Sequence, residues 1–442
     1  MHSRSALVVV LLVVLGLMLP AEAMAGFNVP AGFSDELVVG GVTDPTAIAW
    51  LPASENGDLL ITTRGGALYR WRGSGAAEPI LNLAGTICSG SETGLLGVAV
   101  HPEFGATDRF VYLYYTDRRG NGNCSNASTR ANRVVRYPMA SDGALLGEEV
   151  LIDTISARGG NHNGGDLQFG NDGLLYISAG DGGQDLFNGN GQDGNRNARR
   201  LDLLNGKILR IEPNGAIPPT NPFQGAGTAR CAGTVEPQAE SARVSAEKRG
   251  KNQGRRHKKR KRNRKHRRNP PPGPICREIF ATGLRNPYRI AFDAGDTSDP
   301  QRLFINDVGG NGFEEINEGI VGQDYGWNIR EGPCPINQPA GNCATDARFA
   351  DPIFAYGHGN APPDGCTVIT GGAFPPGPPW PGDYLFADFG CNTLFALTEG
   401  GTGATFAEFA TGTKATHLAF GPDGALYYTD FSTDEVRRIV AN

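Results

Sequence analysis

The chain has 442 residues, and its 63 glycines and 30 prolines make up about a fifth of them, a fraction that favours many short strands and turns and excludes a mostly helical protein. This length is within reach of one large all-β domain. The formal net charge of −5 conceals a split, because Lys248–Arg268 holds 14 Lys and Arg and no acid, whereas the rest of the chain has 27 basic residues against 46 acidic ones.

Residues 1–25 have the pattern of a secretory signal peptide. His2 and Arg4 precede an apolar run from Ala6 to Leu19, and Pro20 is followed by small residues that suit cleavage after Ala23 or Ala25. The alternative is an uncleaved anchor, but the run is short for a membrane span. We therefore expect a secreted, periplasmic or cell-surface protein without a transmembrane anchor.

Eight cysteines lie in the expected mature part of the chain. An even number in an exported protein predicts disulfides, although connectivity cannot be deduced from sequence alone. A zinc site is the less favoured alternative, because there is no close Cys-x-x-Cys pair. Sequential pairing would close four separate loops, and we predict Cys88–Cys124, Cys231–Cys276, Cys334–Cys343 and Cys366–Cys391.

From residue 26 onward, one pattern of turn, short apolar strand, turn and second strand recurs six times with loops of unequal length. This radial repetition predicts an all-β fold, a six-bladed β-propeller with four-stranded antiparallel blades, over residues 26–442. Two stacked β-sandwiches are the alternative, but their strands would not repeat so evenly. The six copies are Glu55–Trp71, Phe110–Met139, Phe169–Pro213, Arg302–Gly319, Gly382–Leu397 and Phe420–Ile439.

Residues 235–274 break this pattern. They carry the basic run, lack apolar periodicity and repel one another, so we predict a disordered insert, tethered at its base if Cys231 and Cys276 pair. Such runs usually indicate nucleic-acid binding. In an exported protein we expect no nucleic acid; an anionic cell-surface polymer is one partner, and an insert without any partner is equally open.

His162 lies in the stretch Gly159–Gly183, where a strand separates two glycine-rich turns. Its polar neighbours leave the imidazole little apolar cover, and a free imidazole titrates near neutral pH, so His162 is a candidate base. The second turn of the stretch carries Asp181. The polar loop from Asp181 to Asn195 is a weaker Ca²⁺ candidate, or a plain loop.

Two further stretches offer polar groups for chemistry. Arg285 and Asn286 precede Pro287, and the guanidinium suits an anionic or quinonoid oxygen, although a structural arginine between blades is equally open. The region from 306 to 332 offers carboxylates at Asp307, Glu314 and Glu315 with glycine carbonyls beside them, which are the hard oxygen ligands of Ca²⁺.

Together these stretches, in this order, resemble the soluble quinoprotein glucose/sorbosone dehydrogenase family, which includes aldose sugar dehydrogenases and the propeller of hedgehog-interacting proteins. The resemblance covers most of the chain from about Phe27, apart from the basic insert. The matching stretches are GLLGVAVHPEF (94–104), NHNGGDLQFG (161–170), GLLYISAGDGG (173–183), NGKILRI (205–211), GLRNPYRIAF (283–292), DVGGNGFEEIN (307–317) and DYGWN (324–328).

The resemblance implies a secreted enzyme that uses pyrroloquinoline quinone and Ca²⁺ to oxidise the anomeric carbon of aldose sugars to lactones, with an unknown electron acceptor. In the family, a histidine on this loop takes the proton of the anomeric hydroxyl, and His162 matches it. Arg285 and Asn286 match the pair that polarises the quinone oxygen. Glu92 matches a polar residue beside the cofactor.

The resemblance also implies metal ligands. Gly309 and Gly310 match the carbonyls that hold the cofactor's Ca²⁺, and Glu315 and Tyr325 match ligands of a separate structural Ca²⁺ site. Calcium is therefore expected at two places.

The chain departs from the family in the residues that clamp the cofactor's carboxylates. The glucose enzymes have a lysine near Gly390 and two arginines before the last blade; here no lysine is near Gly390, Lys414 stands at the first arginine and Thr416 at the second. The alternatives are a non-catalytic cell-surface binding propeller of the hedgehog-interacting type and a Ca²⁺-dependent lactonase on a similar propeller.

Overall fold

The computed structural model describes residues 26–105, 108–119, 124–125, 129–186, 194–232, 273–336, 338, 343–358, 365–400 and 403–442. The predicted signal peptide and nearly all of the predicted basic insert lie outside these residues. Within them, no helix combines the length and the apolar character needed to cross a membrane.

Six four-stranded antiparallel sheets form the blades of a β-propeller, which confirms the predicted fold class. The first three are blade 1, with β2 (Pro45–Trp50), β3 (Leu59–Thr63), β4 (Ala67–Trp71) and β5 (Glu78–Asn82); blade 2, with β6 (Leu95–Val100), β7 (Phe110–Asp117), β8 (Ala131–Pro138) and β9 (Glu149–Ser156); and blade 3, with β10 (Gly164–Phe169), β11 (Leu175–Ala179), β12 (Lys207–Ile211) and β15 (Ile279–Thr282).

The other three blades complete the ring. They are blade 4, with β16 (Pro287–Phe292), β17 (Leu303–Asp307), β18 (Phe313–Glu318) and β21 (Phe354–Gly357); blade 5, with β22 (Ile369–Ala373), β23 (Tyr384–Asp388), β24 (Thr393–Thr398) and β25 (Thr405–Thr411); and blade 6, with β26 (Ala415–Phe420), β27 (Leu426–Asp430), β28 (Glu435–Ala441) and β1 (Phe33–Gly40).

Blade 6 joins the two ends of the described chain. Its outer strand β1 pairs with β28 in register from Phe33 opposite Ala441 to Gly40 opposite Glu435. A largely buried ion pair between Asp35 Oδ1 and Arg437 Nε, at 2.7 Å, links the same two strands. The ring is thus closed by strands that are about 400 residues apart in sequence.

The first strand of each blade lies nearest the axis, and these inner strands contact one another in a closed ring of β2, β6, β10, β16, β22 and β26. Each blade packs between two others, so its middle strands are buried on both faces; β3, β11 and β23 are buried at every position. Six apolar clusters fill the six interfaces between neighbouring blades.

The six sequence repeats correspond to the second and third strands of the six blades, for example Glu55–Trp71 to β3 and β4. Among the described residues, the remaining short elements are the 3-10 helices Ala53–Glu55 and Asn197–Arg199 and two small pairs: β13 (Thr228–Ala229) with β14 (Ile275–Cys276), in parallel, and β19 (Arg330–Glu331) with β20 (Cys334–Pro335).

All four predicted disulfides are present: Cys88–Cys124, Cys231–Cys276, Cys334–Cys343 and Cys366–Cys391. No cysteine is left free, so the alternative of a cysteine zinc site is wrong. Cys231–Cys276 lies beside the parallel pair β13 and β14 and ties together the two ends of the predicted insert.

Candidate active site

An irregularity recurs in every blade and shapes the cavity at the propeller axis. The ladder between the innermost strand and the next strand carries a β-bulge at the start of the inner strand in all six blades. Residues at or beside these bulges line a cavity of about 500 Å³. They are Thr46, Leu96, Gly164, Tyr288, Thr370 and Thr416.

Arg289 fills the centre of this ring of bulges. Its guanidinium donates to the carbonyl oxygens of Thr46 at 2.6 Å, Thr416 at 3.2 Å and Leu96 at 3.4 Å, which belong to blades 1, 6 and 2. A bulge leaves carbonyls without ladder partners, and one buried arginine from blade 4 satisfies them. Arg289 lines the cavity, and our sequence analysis did not single it out.

The rest of the cavity wall comes from two kinds of loop. Turns between the second and third strands supply Arg64, Gly309, Gly310, Phe389 and Phe431, and segments that lead into the inner strands supply Glu92, His162, Arg285 and Asn286. The cavity therefore brings together six of the site residues that the sequence predicted, from different blades: Glu92, His162, Arg285, Asn286, Gly309 and Gly310.

His162 lies in this cavity with its imidazole held from behind. Its Nδ1 atom is 2.8 Å from Oδ1 of Asp181, and both side chains are buried, with 3% and 0% exposed. The side chain is therefore covered, not exposed as its polar neighbours in sequence suggest. Among the described residues no hydrogen bond reaches Nε2, so this nitrogen is the one free to meet a ligand.

The loop geometry that presents His162 depends on close backbone packing. His162 has a left-handed backbone with φ of 52°. A Cβ at Gly180 would lie 2.0 Å from the carbonyl oxygen of His162, so only glycine lets the turn that carries Asp181 approach this loop. The glycines of this stretch thus set the distance between the histidine and its carboxylate partner.

The carboxylate of Asp181 has all its oxygens engaged. Oδ1 also accepts from the backbone N–H of Gly183 at 2.7 Å, and Oδ2 accepts from the indole N–H of Trp327 at 2.9 Å. Asp181 thus orients His162, while the Ca²⁺ site considered for the loop from Asp181 to Asn195 stays a prediction. Part of that loop lies outside the described residues.

Arg285 and Asn286 lie next to the histidine stretch, and the N–H of Asp181 donates to the carbonyl of Arg285 at 2.7 Å. The carboxylate of Asp307 accepts both of their backbone N–H groups, at 2.9 Å and 2.6 Å, and Nη1 of Arg285 donates to the carbonyl of Val308 at 2.9 Å. The guanidinium lies 5.4 Å from the ring centre of Trp327. Among the described residues Nε of Arg285 is buried without an acceptor, so an N–H donor is left over for a ligand.

Glu92 contacts both the histidine loop and Asn286. One of its oxygens accepts from the backbone N–H of His162 at 2.6 Å and from the side-chain amide of Asn286 at 3.3 Å. The amide oxygen of Asn286 in turn accepts from the N–H of Gly164 at 3.0 Å. Glu92 therefore positions both the histidine loop and Asn286.

Buried carboxylates hold the turn that carries Gly309 and Gly310. Glu314 accepts the N–H of Gly309 at 3.2 Å, and Glu331 accepts the N–H of Gly310 at 2.6 Å. Their carbonyl oxygens accept no hydrogen bond from any residue that the structure describes. The two carbonyls are thus available to a cation, as the resemblance implies.

The second predicted calcium site contains a buried glutamate with a raised pKa. Glu315 is buried on β18 and accepts from the side chain of Asn317 at 3.0 Å. Burial and the neighbouring carboxylates Glu331 and Glu314 raise the pKa of Glu315 to about 7. The hydroxyl of Tyr325 bonds instead to the backbone of Glu318 and Ile320, so the two predicted ligands use different partners.

Lys414 lies outside the lining of the cavity, but its neighbour Phe389 is part of that lining. The ammonium group is 4.5 Å from the ring centre of Phe389. A cation that the sequence analysis did not single out, Arg64, lines the cavity directly. Only the assembly of blades 1, 5 and 6 brings these groups together, so no local sequence signal identifies them.

The same cavity is lined by a histidine whose Nδ1 is held by a buried carboxylate and by an arginine with an unused N–H. A histidine held in this way can take a proton from a hydroxyl group. A guanidinium in the same cavity can stabilise negative charge on an acceptor oxygen. This set of groups suits removal of a proton from an alcohol hydroxyl and of a hydride from its carbon.

Comparison with known proteins supports this chemistry. The family model described as Glucose / Sorbosone dehydrogenase matches residues 42–232 and 234–438. The HIPL2 protein of Arabidopsis thaliana is 25% identical over 376 residues, which cover 73% of this chain and 46% of the relative. The aldose sugar dehydrogenase YliI of Escherichia coli is 27% identical over 304 residues, 68% of this chain and 63% of that protein.

Among solved structures, the aldose sugar dehydrogenase of Streptomyces coelicolor in its PQQ-bound form superposes with a TM-score of 0.63. It is 23% identical, and the match covers 93% of this chain and all of that chain. At this identity the likeness shows the shared propeller fold. The chain spans about half the length of the HIPL relatives, so their activity and partners as whole proteins carry over only as proposals.

Proposed function

Because this chain belongs to the glucose/sorbosone dehydrogenase family, we propose that it oxidises the anomeric carbon of aldose sugars to lactones, with pyrroloquinoline quinone as the hydride acceptor. The observation that carries the proposal is the pair His162 and Asp181, which lies in one cavity with Arg285 and Asn286. A proton acceptor and an oxyanion partner are the two ends that such a hydride transfer needs.

The residues present fit the cofactor. A cavity of about 500 Å³ has room for a flat tricyclic quinone, and three arginines line it: Arg64, Arg285 and Arg289. The spare N–H at Nε of Arg285 needs an acceptor. When bound, pyrroloquinoline quinone supplies the two-electron acceptor that receives the hydride.

His162 is the proposed base. Nε2 takes the proton of the anomeric hydroxyl as the hydride leaves the same carbon, so the sugar loses two electrons and two hydrogens and a lactone forms. Asp181, at 2.8 Å from Nδ1, keeps that nitrogen protonated beforehand and stabilises the imidazolium that forms. The tautomer follows from this hydrogen bond.

Arg285 and Asn286 act at the acceptor end. Asp307 fixes both backbones, and the ring of Trp327 supports the guanidinium. Preorganised donors stabilise charge that develops on an acceptor oxygen without reorganisation cost at the moment of reaction. Glu92 holds the proposed base and Asn286 in fixed relative positions through its hydrogen bonds to the backbone N–H of His162 and the side chain of Asn286.

We propose calcium at both places that the resemblance implies. Gly309 and Gly310 line the cavity, and their carbonyls, which accept no hydrogen bond from the described residues, would hold the ion beside the cofactor. A divalent cation beside Glu315, whose pKa is raised by burial and neighbouring carboxylates, would relieve that acid. Tyr325 would join it as a ligand by giving up its bonds to the backbone of Glu318 and Ile320.

We also propose that the protein works after export. Four disulfides are typical of oxidising compartments, in agreement with the predicted signal peptide. Its partners would be the sugar, an electron acceptor outside the cytoplasm and, through the basic insert, an anionic cell-surface polymer.

A titration of the apo-protein tests the function. Pyrroloquinoline quinone is added with and without Ca²⁺, binding is followed by absorbance, and dye reduction by aldoses is then measured. We expect binding and sugar-dependent reduction in the wild type, and binding with at least roughly 10²-fold slower reduction in His162→Gln. Cofactor binding without turnover of any aldose would contradict the proposal.

A second candidate function is a non-catalytic propeller that binds a partner at the cell surface. Its support is the match to the HIPL relatives, which covers 73% and 80% of this chain. If the chain only binds a partner, added quinone will leave its absorbance and melting temperature unchanged. Hydrolysis of lactones without any redox dye would instead indicate the lactonase alternative.

A further inference from the structure

Lys207 is a buried cation that the proposed mechanism leaves unused. It begins β12 in blade 3, and its side chain is fully buried. Its ammonium donates to the carbonyls of Ala198 and Asn205, both at 2.7 Å, and of Asn197 at 3.3 Å. An ammonium has three N–H donors, so the three carbonyls match it. We call these three carbonyls the lysine cage; they bind the charge as carbonyls bind a metal ion.

The lysine cage holds the turn that carries Asp181. Asn197 and Asn205, whose backbone carbonyls bind the ammonium, also contact this turn with their side chains. Nδ2 of Asn197 donates to the carbonyl of Asp181 at 2.8 Å, and Nδ2 of Asn205 donates to the carbonyl of Gly180 at 3.1 Å. The carboxylate of Asp181 in turn holds Nδ1 of His162. The ammonium is therefore linked to the proposed base through two asparagines and one turn.

The lysine cage also contacts the segment that leads to Arg285. The carbonyl of Ala198 accepts the N–H of Gly283 at 3.3 Å in addition to the ammonium. The N–H of Asp181 donates to the carbonyl of Arg285 at 2.7 Å, so the turn and the segment are joined directly. The packing is close, because a Cβ at Gly206 would lie 2.4 Å from the Cβ of Ala198. The base and the acceptor end of the proposed reaction are thus both connected to one buried charge.

We propose that Lys207 is a positioning residue: its ammonium acts as an internal cation that fixes the Asp181 turn relative to the Arg285 segment. This role rests on the proposed function and deepens it, because it names what sets the distance between the base and the group at the acceptor oxygen. Carbonyl dipoles that converge on one point repel one another unless a positive charge lies between them. Loss of the charge should therefore loosen both segments, while the side chains of His162 and Arg285 stay in place chemically.

Chemical rescue of Lys207→Ala tests this role. The variant lacks the side chain beyond Cβ, which has the size and charge of n-propylammonium. We expect kcat for dye reduction by aldoses to fall roughly 10- to 100-fold with KM within about threefold, because the reacting groups are misplaced but present. Refolding the variant from urea with propylammonium should restore at least roughly a tenth of the wild-type kcat. Propanol, which has the same size without the charge, should restore none of it.

A second measurement uses the apo-protein and needs no turnover. Lys207→Met keeps the apolar stem and removes the charge, and we expect amide hydrogen exchange in residues 180–186 and 283–286 to be roughly 10-fold faster than in the wild type. Mass spectrometry of peptides from these segments gives the exchange rates.

Arg210→Met is the matched control for both measurements. It removes another buried cation of β12, whose guanidinium donates to Asn221 at 2.8 Å and Thr220 at 2.7 Å and makes no contact with the lysine cage. We expect a lower melting temperature in this variant, with wild-type kcat and wild-type exchange in 180–186 and 283–286.

The outcomes separate the two proposals. Wild-type protein that oxidises no aldose would overturn the proposed function, and the exchange rates of Lys207→Met would still decide the role of the lysine. Unchanged exchange in both segments of folded Lys207→Met would overturn that role alone. Equal rescue of Lys207→Ala by propanol and propylammonium, or rescue by neither, would also overturn it, because the charge would then not hold the segments. If Lys207→Ala does not fold, kcat of Lys207→Met against that of Arg210→Met replaces the rescue, and equal values would contradict the role.

Discussion

Trp327 and Asp181 share a hydrogen bond of 2.9 Å, from the indole N–H to Oδ2 of the carboxylate whose other oxygen holds His162. The same indole ring lies under the guanidinium of Arg285, at 5.4 Å. One buried side chain from the loop after β18 therefore contacts both ends of the proposed reaction site.

Trp327→Phe keeps the ring and removes the donor. We expect kcat to fall roughly 10-fold with little change in KM, because Asp181 loses part of its anchoring while the ligand contacts remain. The acidic limb of the pH–rate profile should move to higher pH, since a carboxylate with one donor fewer holds a protonated partner more strongly.

The control for this change is Trp71→Phe, which removes an exposed indole bond to Gly75 of 3.1 Å. That variant should match the wild type in kcat and in pH profile. A profile for Trp327→Phe that scales down without moving would indicate a general packing role for the tryptophan.

Calcium should stabilise the protein more at alkaline than at acidic pH. The pKa of Glu315 is raised from 4.5 to about 7, so in a chelator the folded state binds more protons than the unfolded state between these values. The contribution of Glu315 to stability is therefore present below about pH 4.5 and is lost as the pH rises to about 7.

Melting curves with Ca²⁺ and with chelator check this linkage at pH 5 and pH 8. We expect the Ca²⁺-induced rise in Tm to be larger at pH 8, and in Glu315→Gln the dependence of this rise on pH should shrink. An equal rise at both pH values in the wild type would exclude Glu315 as a ligand.

Lys207 gives the free energy of unfolding a second pH dependence, opposite in sign to that of Glu315. Its ammonium is fully buried and donates to the carbonyls of Ala198 and Asn205, both at 2.7 Å, and of Asn197 at 3.3 Å. Burial lowers the pKa of Lys207 from 10.5 to about 7. Between these values the unfolded chain binds the extra proton, so stability rises with pH.

Lys207→Met should flatten this slope and also lower the unfolding free energy by about 1–3 kcal/mol, because the three carbonyls lose their donor. Urea unfolding at pH 7.5 and pH 9.5 measures both effects. A variant that keeps the wild-type slope would show that another group is responsible.

The disulfide beside Phe389 should matter for stability. Cys366→Ser with Cys391→Ser opens a loop whose ends are 25 residues apart, and we expect a loss of about 3 kcal/mol in unfolding free energy. Cys334→Ser with Cys343→Ser opens a loop of only 9 residues and should cost less. Denaturant unfolding of both double variants under non-reducing conditions provides the comparison.

The sequence predicts the blades through their middle strands, which alternate strong β-formers with glycine-rich turns, as in Gly382–Leu397. The inner strands escape detection because each is interrupted by a bulge, so Ala415–Phe420 lacks regular alternation. The predicted sequential pairing of the cysteines is confirmed. It could be predicted because each disulfide closes a loop within a short stretch of chain.

The contacts of the site are harder to predict from the sequence, because they join residues that are far apart in the chain. Asp181 is 19 residues from His162 and lies in the same glycine-rich stretch, but Trp327 is 146 residues from Asp181 and Arg289 bonds to Thr46 across 243 residues. Closure of the ring creates these contacts, and no local pattern encodes them.

The ring of six bulges has a consequence for redesign of the site. Each bulge places one residue against the cavity at an equivalent position. The buried side chains of Thr46, Thr370 and Thr416 each donate to a carbonyl on the inner strand of the next blade, those of Leu95 at 2.7 Å, Ala415 at 2.7 Å and Pro45 at 3.1 Å. A substitution at any of these three positions therefore changes the cavity and the bonds between two blades together, so a redesigned variant has to be tested for folding as well as for ligand preference.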